Sequence, residues 1–150
     1  MRLAENEIWF RINGDPKGKA RARCTCRGGR PRMYADPATA VYQVMIKELA
    51  NEAFRGVPLP LRGPVEVHVL AVRKRPKSRM RKKDENEREL DVRKPDADNI
   101  KKAVLDALVW SDVLTDDACV WRSEVEKWMA DKEEKPHLVV TIRWGYHGGA

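Results

Sequence analysis

Alternating apolar and polar residues mark the strands of this chain. IWFRI (8–12) places Ile8, Phe10 and Ile12 on one face, and VEVHVLAV (65–72) does the same with Val65, Val67 and Val69. HLVVTIRW (137–144) has the cleanest buried face, Leu138, Val140, Ile142 and Trp144. ACVWRSEVEKWM (118–129) reads as a strand before it, with the polar turn DKEEKP between the two. The helical period appears twice. Asp36 then Pro37 is a helix start, a capping residue followed by proline at the first helical position. Val41, Met45, Leu49 and Ala53 follow at spacings of four, with Ile46 alongside, to about Arg55, where GVPLPLRGP (56–64) ends the helix. A second helix starts at Asn99 with Asp98 as its cap, and Ile100, Val104, Ala107 and Leu108 form its buried stripe.

Two segments carry no such pattern. From Arg11 through Arg32, both included, stand eight basic residues against a single acid, Asp15, in a Gly-rich run that reads as a loop or ragged hairpin. Residues 73–94 carry eleven basic and five acidic side chains and almost nothing apolar, which predicts a charged, mobile arm with no core of its own. The order is strand, basic loop, helix, strand, basic arm, helix, strand, strand. The expected fold is α+β, a small mixed sheet carrying two main helices, in a single domain over 1–150.

Charge adds the first functional hint. The chain has 30 Lys and Arg against 23 Asp and Glu, a net +7, and a basic domain of this kind most often meets a polyanion. No run approaches the roughly 18 apolar residues of a spanning helix. MRLAENEIWF has neither an apolar core nor a cleavage site of the secretory type, so the expected location is the cytoplasm. Cys24, Cys26 and Cys119 are an odd number and read as reduced thiols; one C-x-C with scattered His68, His137 and His147 lacks the four ligands of a closed zinc site.

Against this basic background the stretch KPDADNIKKAVLDALVWSDVLTDD (94–117) gathers acids at both ends of one amphipathic helix: Asp96 and Asp98 before it, Asp116 and Asp117 after it. Asp98 as an N-cap and Asp96 at the positive end of the helix dipole account for two of the acids without any further role. They leave Asp116 and Asp117 unexplained. If the chain turns back after the helix, three carboxylates from two segments meet, and carboxylates forced together repel unless protonated or bridged by a cation. Oxygen ligands without Cys or His point to Mg²⁺, with Mn²⁺ as substitute, and acids holding a metal inside a basic protein suit a phosphodiester substrate. Lys102 lies four residues after Asp98 and four before Asp106. It reads either as an ordinary helix-surface ion pair, with Asp106 as its structural partner, or as a fixed positive charge beside a scissile phosphate.

With Asp96, Asp98, Asn99, Lys102, Asp106, Ala107, Leu108 and then Asp116 and Asp117, the sequence resembles the RusA family of Holliday junction resolvases, small phage and prophage endodeoxyribonucleases. PKGKARAR (16–23) is similar to the family's basic N-terminal segment, and MYADPATAVYQ (33–43) to its approach to the first helix. Carried over by position, Asp96, Asp98 and Asp117 match the metal-binding catalytic aspartates and Lys102 the catalytic lysine. The resemblance further implies a homodimer, Mg²⁺ dependence and paired incisions in four-way DNA junctions during recombination and repair. Ala20, Ala22 and Cys119 depart from the family's pattern, as does the long arm, and none of these touches the four key positions.

The expected DNA contacts are Lys17, Lys19, Arg21, Arg23, Arg30 and Arg32 in the basic loop and Arg73, Lys74 and Arg75 in the arm. The reading from another class is a non-catalytic protein that binds branched or single-stranded DNA, for which five Trp would supply stacking surfaces.

Overall fold

The computed structural model describes residues 3–19, 23–25, 27–29, 31–34 and 36–146. Its strands are β1 (Ala4–Asn13), β2 (Arg23–Thr25), β3 (Arg32–Tyr34), β4 (Val65–Arg73), β5 (Glu89–Leu90), β6 (Val120–Met129) and β7 (His137–Tyr146). Its α-helices are α1 (Pro37–Ala53) and α2 (Ala97–Trp110). This is the expected α+β class: five strands in the order β1-β7-β4-β6-β5 form a mixed sheet, and β2 and β3 pair as a separate two-stranded hairpin inside the basic loop.

Alternation along β1 buries Phe10 and Ile12 and leaves Trp9 and Arg11 in solvent. The same period in β4 and β7 aligns Val65, Val67, Val69, Val140 and Ile142 on one face, where they meet Ile46 and Ala50 of α1 and Ile100, Val104 and Leu108 of α2 in one core. The stripe expected for α2 is therefore the buried one. That of α1 is offset. Tyr42, Ile46 and Ala50 face inward with Thr39 and Gln43, while Val41 and Met45 are exposed. Two apolar rows run side by side on this helix, and the crossing with α2 selects between them: Gln43 Nε2 donates to the Ala103 carbonyl at 3.3 Å inside that contact.

Strands β6 and β7 follow each other in sequence but do not pair. β4 lies between them, antiparallel to β7 and parallel to β6. A parallel pair needs a long crossover, and the segment between β4 and β6 supplies it through α2. This crossover sets the site. Lys94 accepts a hydrogen bond from Arg73 and Arg93 one from Lys127, so the start of α2 lies at the C-terminal ends of β4 and β6. Leu61 N donates to Val113 O at 2.9 Å, so its far end lies at their N-terminal ends.

Residues 73–94, expected as an arm with nothing to pack, are folded onto the sheet. The Arg75 guanidinium is buried and donates to the carbonyls of Arg79 (2.7 Å), Glu87 (2.9 Å), Glu85 (3.1 Å) and Ala130 (3.1 Å). Arg79 pairs with Glu89, Arg88 with Glu134, and Arg93 holds Asp91 through two parallel bonds at 2.9 and 3.0 Å. β5, drawn from the same segment, extends the sheet beside β6. A segment without apolar residues packs here because one buried cation collects the carbonyls that folding takes from water.

Candidate active site along the second helix

Asp96, rather than Asp98, stands at the N-cap of α2: its carbonyl accepts from Asn99 N and Ile100 N, both at 3.1 Å, and Asp98 falls in the first turn. The Asp96 carboxylate makes no capping bond. Both side chains are exposed and neither is engaged by a hydrogen bond or ion pair among the described residues. They stand at the N-terminal end of α2, the positive end of the helix dipole. A capping acid is consumed by its own helix; these two are available to a ligand.

Lys102 lies one turn on, exposed, on the face shared by Asp98 and Asp106. Its expected partner is taken. Asp106 pairs with Lys19 Nζ of the basic segment, since that segment crosses the helix and brings its ammonium to the carboxylate. Lys102 itself forms no ion pair among the described residues.

Asp116 and Asp117 sit at a short 3-10 turn, Asp117–Cys119, that leads into β6. The Asp116 carboxylate accepts from Ala118 N at 2.9 Å; that bond, with the one from Asp117, holds it below the usual carboxylate range. Asp117 is pushed up, first by its hydrogen bond to Asp116 and that neighbour's charge, then by burial and the charge of Asp106. Asp117 therefore lies within electrostatic reach of Asp106, on the third turn of α2.

This differs from the convergence expected with Asp98. The crossover carries Asp96 and Asp98 to one end of the sheet and the approach to β6 toward the other. From Asp98 to Asp106 the helix rises about 12 Å over eight residues. Among the described residues no three carboxylate, His or Cys side chains come together in a metal-binding group. What the fold presents is a row along one helix face: Asp98, Lys102, then Asp106 with the Asp116–Asp117 pair beside it. The donor chemistry fits a hard divalent cation, since Asp96, Asp98, Asp116 and Asp117 offer exposed carboxylate oxygens and a cation would relieve the repulsion that raises Asp117.

The basic residues divide. Lys17 and Lys74 are exposed. Arg75 is buried among carbonyls and has no surface to offer a phosphate. Arg73 is only 15% exposed at its side chain, donates to Lys94 O and faces Asp91 (3.7 Å) and Asp15 (3.6 Å). Arg23 and Arg32 occupy the paired strands β2 and β3, while Arg21 and Arg30 lie outside the described residues. Sequence reasoning missed Asp15, whose Oδ1 accepts from Lys74 N at 2.8 Å, and Gly18, which lies against the start of α2. The compact P-K-G-K run was the available signal for Gly18.

A family model described as Endodeoxyribonuclease RusA matches residues 13–143, a span that holds the basic segment, both helices and all four acids of the row. The chain belongs to the RusA endodeoxyribonuclease family. It is also similar to the Bacillus subtilis (strain 168) protein described as "Uncharacterized protein YqaN", 33% identical over 141 residues that cover 91% of this chain and 95% of that one. RusA membership assigns the coarse activity, endonucleolytic cleavage of DNA.

Proposed function

We propose that this protein is a Mg²⁺-dependent endonuclease that resolves four-way DNA junctions by paired, symmetric incisions, in recombination and repair, and that it works as a homodimer. The observation that carries the reading is the pair of unengaged carboxylates, Asp96 and Asp98, at the dipole end of α2 in a chain of the RusA family. In this reading Asp96 and Asp98 would hold the metal at the start of α2, and Asp117, which the resemblance matches to a third ligand, stands at the far end of the acidic row. When bound, the cation polarises a phosphoryl oxygen and lowers the pKa of a coordinated water. Lys102, exposed between the two acidic groups, places a fixed positive charge where negative charge builds on the phosphate in the transition state. Lys17 and Lys74 supply backbone contacts that hold the polyanion without reading its sequence.

Labelled four-way junctions incubated with the protein should be cut at symmetric positions with Mg²⁺ and remain intact in EDTA. Asp96→Asn and Asp98→Asn should each lower cleavage by roughly a thousandfold or more while junction binding is kept or tightened, because each removes a charge that holds the metal and repels DNA, and Asp117→Asn, at the far end of the row, should lower it less. Tight binding with no cutting by the unmodified protein would leave only a junction-binding function. Cuts at unrelated positions would leave a general structure-specific nuclease.

A further inference from the structure

Residues 15–19 run as a strap from the end of the sheet across the start of α2. At one end Asp15 Oδ1 accepts from Lys74 N at 2.8 Å, its carboxylate faces Arg73 at 3.6 Å, and the next residue, Pro16, is buried. At the other end Lys19 N donates to Asn99 O at 2.9 Å, Gly18 O accepts from Thr39 Oγ1 at 3.4 Å, and Lys19 Nζ pairs with Asp106. Gly18 is pressed against the turn that carries the acids: a Cβ there would stand 2.7 Å from Pro95 Cβ and 3.0 Å from Asn99 Cβ. Its φ lies outside the left-handed region, so the requirement for glycine comes from contact and not from backbone strain.

We propose that this strap positions the acidic turn of α2, with Gly18 and Lys19 as positioning residues that act through Asn99 and Asp106; the proposal rests on the reading above that Asp96 and Asp98 are the working carboxylates. The first turn of a helix has unsatisfied N–H groups and frays easily. Here it must also keep two acids two residues apart from turning away from each other. The strap grips this turn at Pro95 and Asn99 and is fastened two turns further along at Asp106. A displacement of about 1 Å in such a turn is enough to cost on the order of a hundredfold in rate. Lys19 thus serves the chemistry without touching DNA, and its charge is spent inside the protein.

The test compares Lys19→Met and Gly18→Ala with the unmodified protein in three readouts. These are the single-turnover cleavage rate of a four-way junction at saturating enzyme, the junction Kd in EDTA, and amide hydrogen exchange across 97–103. Both variants should cleave about 10- to 100-fold more slowly, hold their Kd within about threefold, and exchange faster across this turn. The charge-reversed pair Lys19→Asp with Asp106→Lys should recover at least about tenfold of the rate lost by Lys19→Asp alone. If Gly18→Ala fails to fold, Lys19→Met and the reversed pair decide. A Kd weakened about tenfold or more at an unchanged saturating rate would make Lys19 a phosphate contact and overturn the proposal. Unchanged exchange would overturn it as well. Should the unmodified protein cut no junction, the proposed function fails by itself, and exchange still decides whether the strap holds the turn.

Discussion

Asp116 and Asp117 show how much a side chain's chemistry depends on its neighbour. Both are exposed aspartates in one turn, yet one lies below the usual range and the other above it. Asp116 accepts a backbone N–H, which favours its ionised form; Asp117, bonded to an ionised neighbour, resists losing its own proton. If Asp117 serves cleavage as a carboxylate, activity is lost as pH falls through its raised pKa. Asp116→Asn removes the repelling charge and should move the acidic limb of the kcat/KM profile to lower pH, with the plateau retained. An acidic limb that stays in place would mean that another group controls it.

At the scale of elements, the charged segment between β4 and α2 is the instructive case. Its content is almost wholly polar, yet it packs, because Arg75 gathers four carbonyls and Asp91 is caught by Arg93 and faced by Arg73. Burial pushes the Asp91 carboxyl up, but the Arg93 hydrogen bonds and the nearby guanidinium charges prevail, and it ends below its ordinary value. The stability from such a lowered carboxylate is present above its unfolded pKa and is lost as pH falls through the folded one, so this segment weakens in acid. Arg75→Met should lower unfolding free energy by about 2 kcal/mol, since four carbonyls, that of Ala130 fully buried, lose their donor, and a shifted urea midpoint reads this directly. Junction affinity of the folded variant should not change. A weaker affinity at unchanged stability would return Arg75 to the DNA surface. The α1 stripe teaches the related lesson that a helix with two adjacent apolar rows has its inner face chosen by its partner.

For the whole molecule, symmetry is the governing argument. A four-way junction has near two-fold symmetry, and resolution needs nicks in two opposing strands. The described residues of one chain offer one acidic row, so the paired incisions proposed above call for a C₂ dimer that presents two. Light scattering should give about twice 17.2 kDa. Mixed dimers of unmodified and Asp98→Asn chains should nick one strand only. A single-chain mass together with paired cuts would exclude the preformed dimer.

The strands β1, β4 and β7, the stripe of α2 and the placing of acids at both ends of that helix were legible from the linear order of residues. A period of two or 3.6 is imposed by local backbone geometry, and a motif such as D-x-D-N-x-x-K is a spacing along the chain. Three things waited for the tertiary structure. The insertion of β4 between β6 and β7 places the ends of α2 at opposite ends of the sheet, and so separates Asp98 from Asp117 where the sequence alone suggested that they meet. The pairing of Lys19 with Asp106, 87 residues away, leaves Lys102 without the helix partner that spacing offered it. The burial of Arg75 turns an expected DNA contact into a structural one. Each depends on which surfaces face one another after the chain has crossed over, and no local pattern encodes that: charge and periodicity say what a residue can do, and only packing decides with whom.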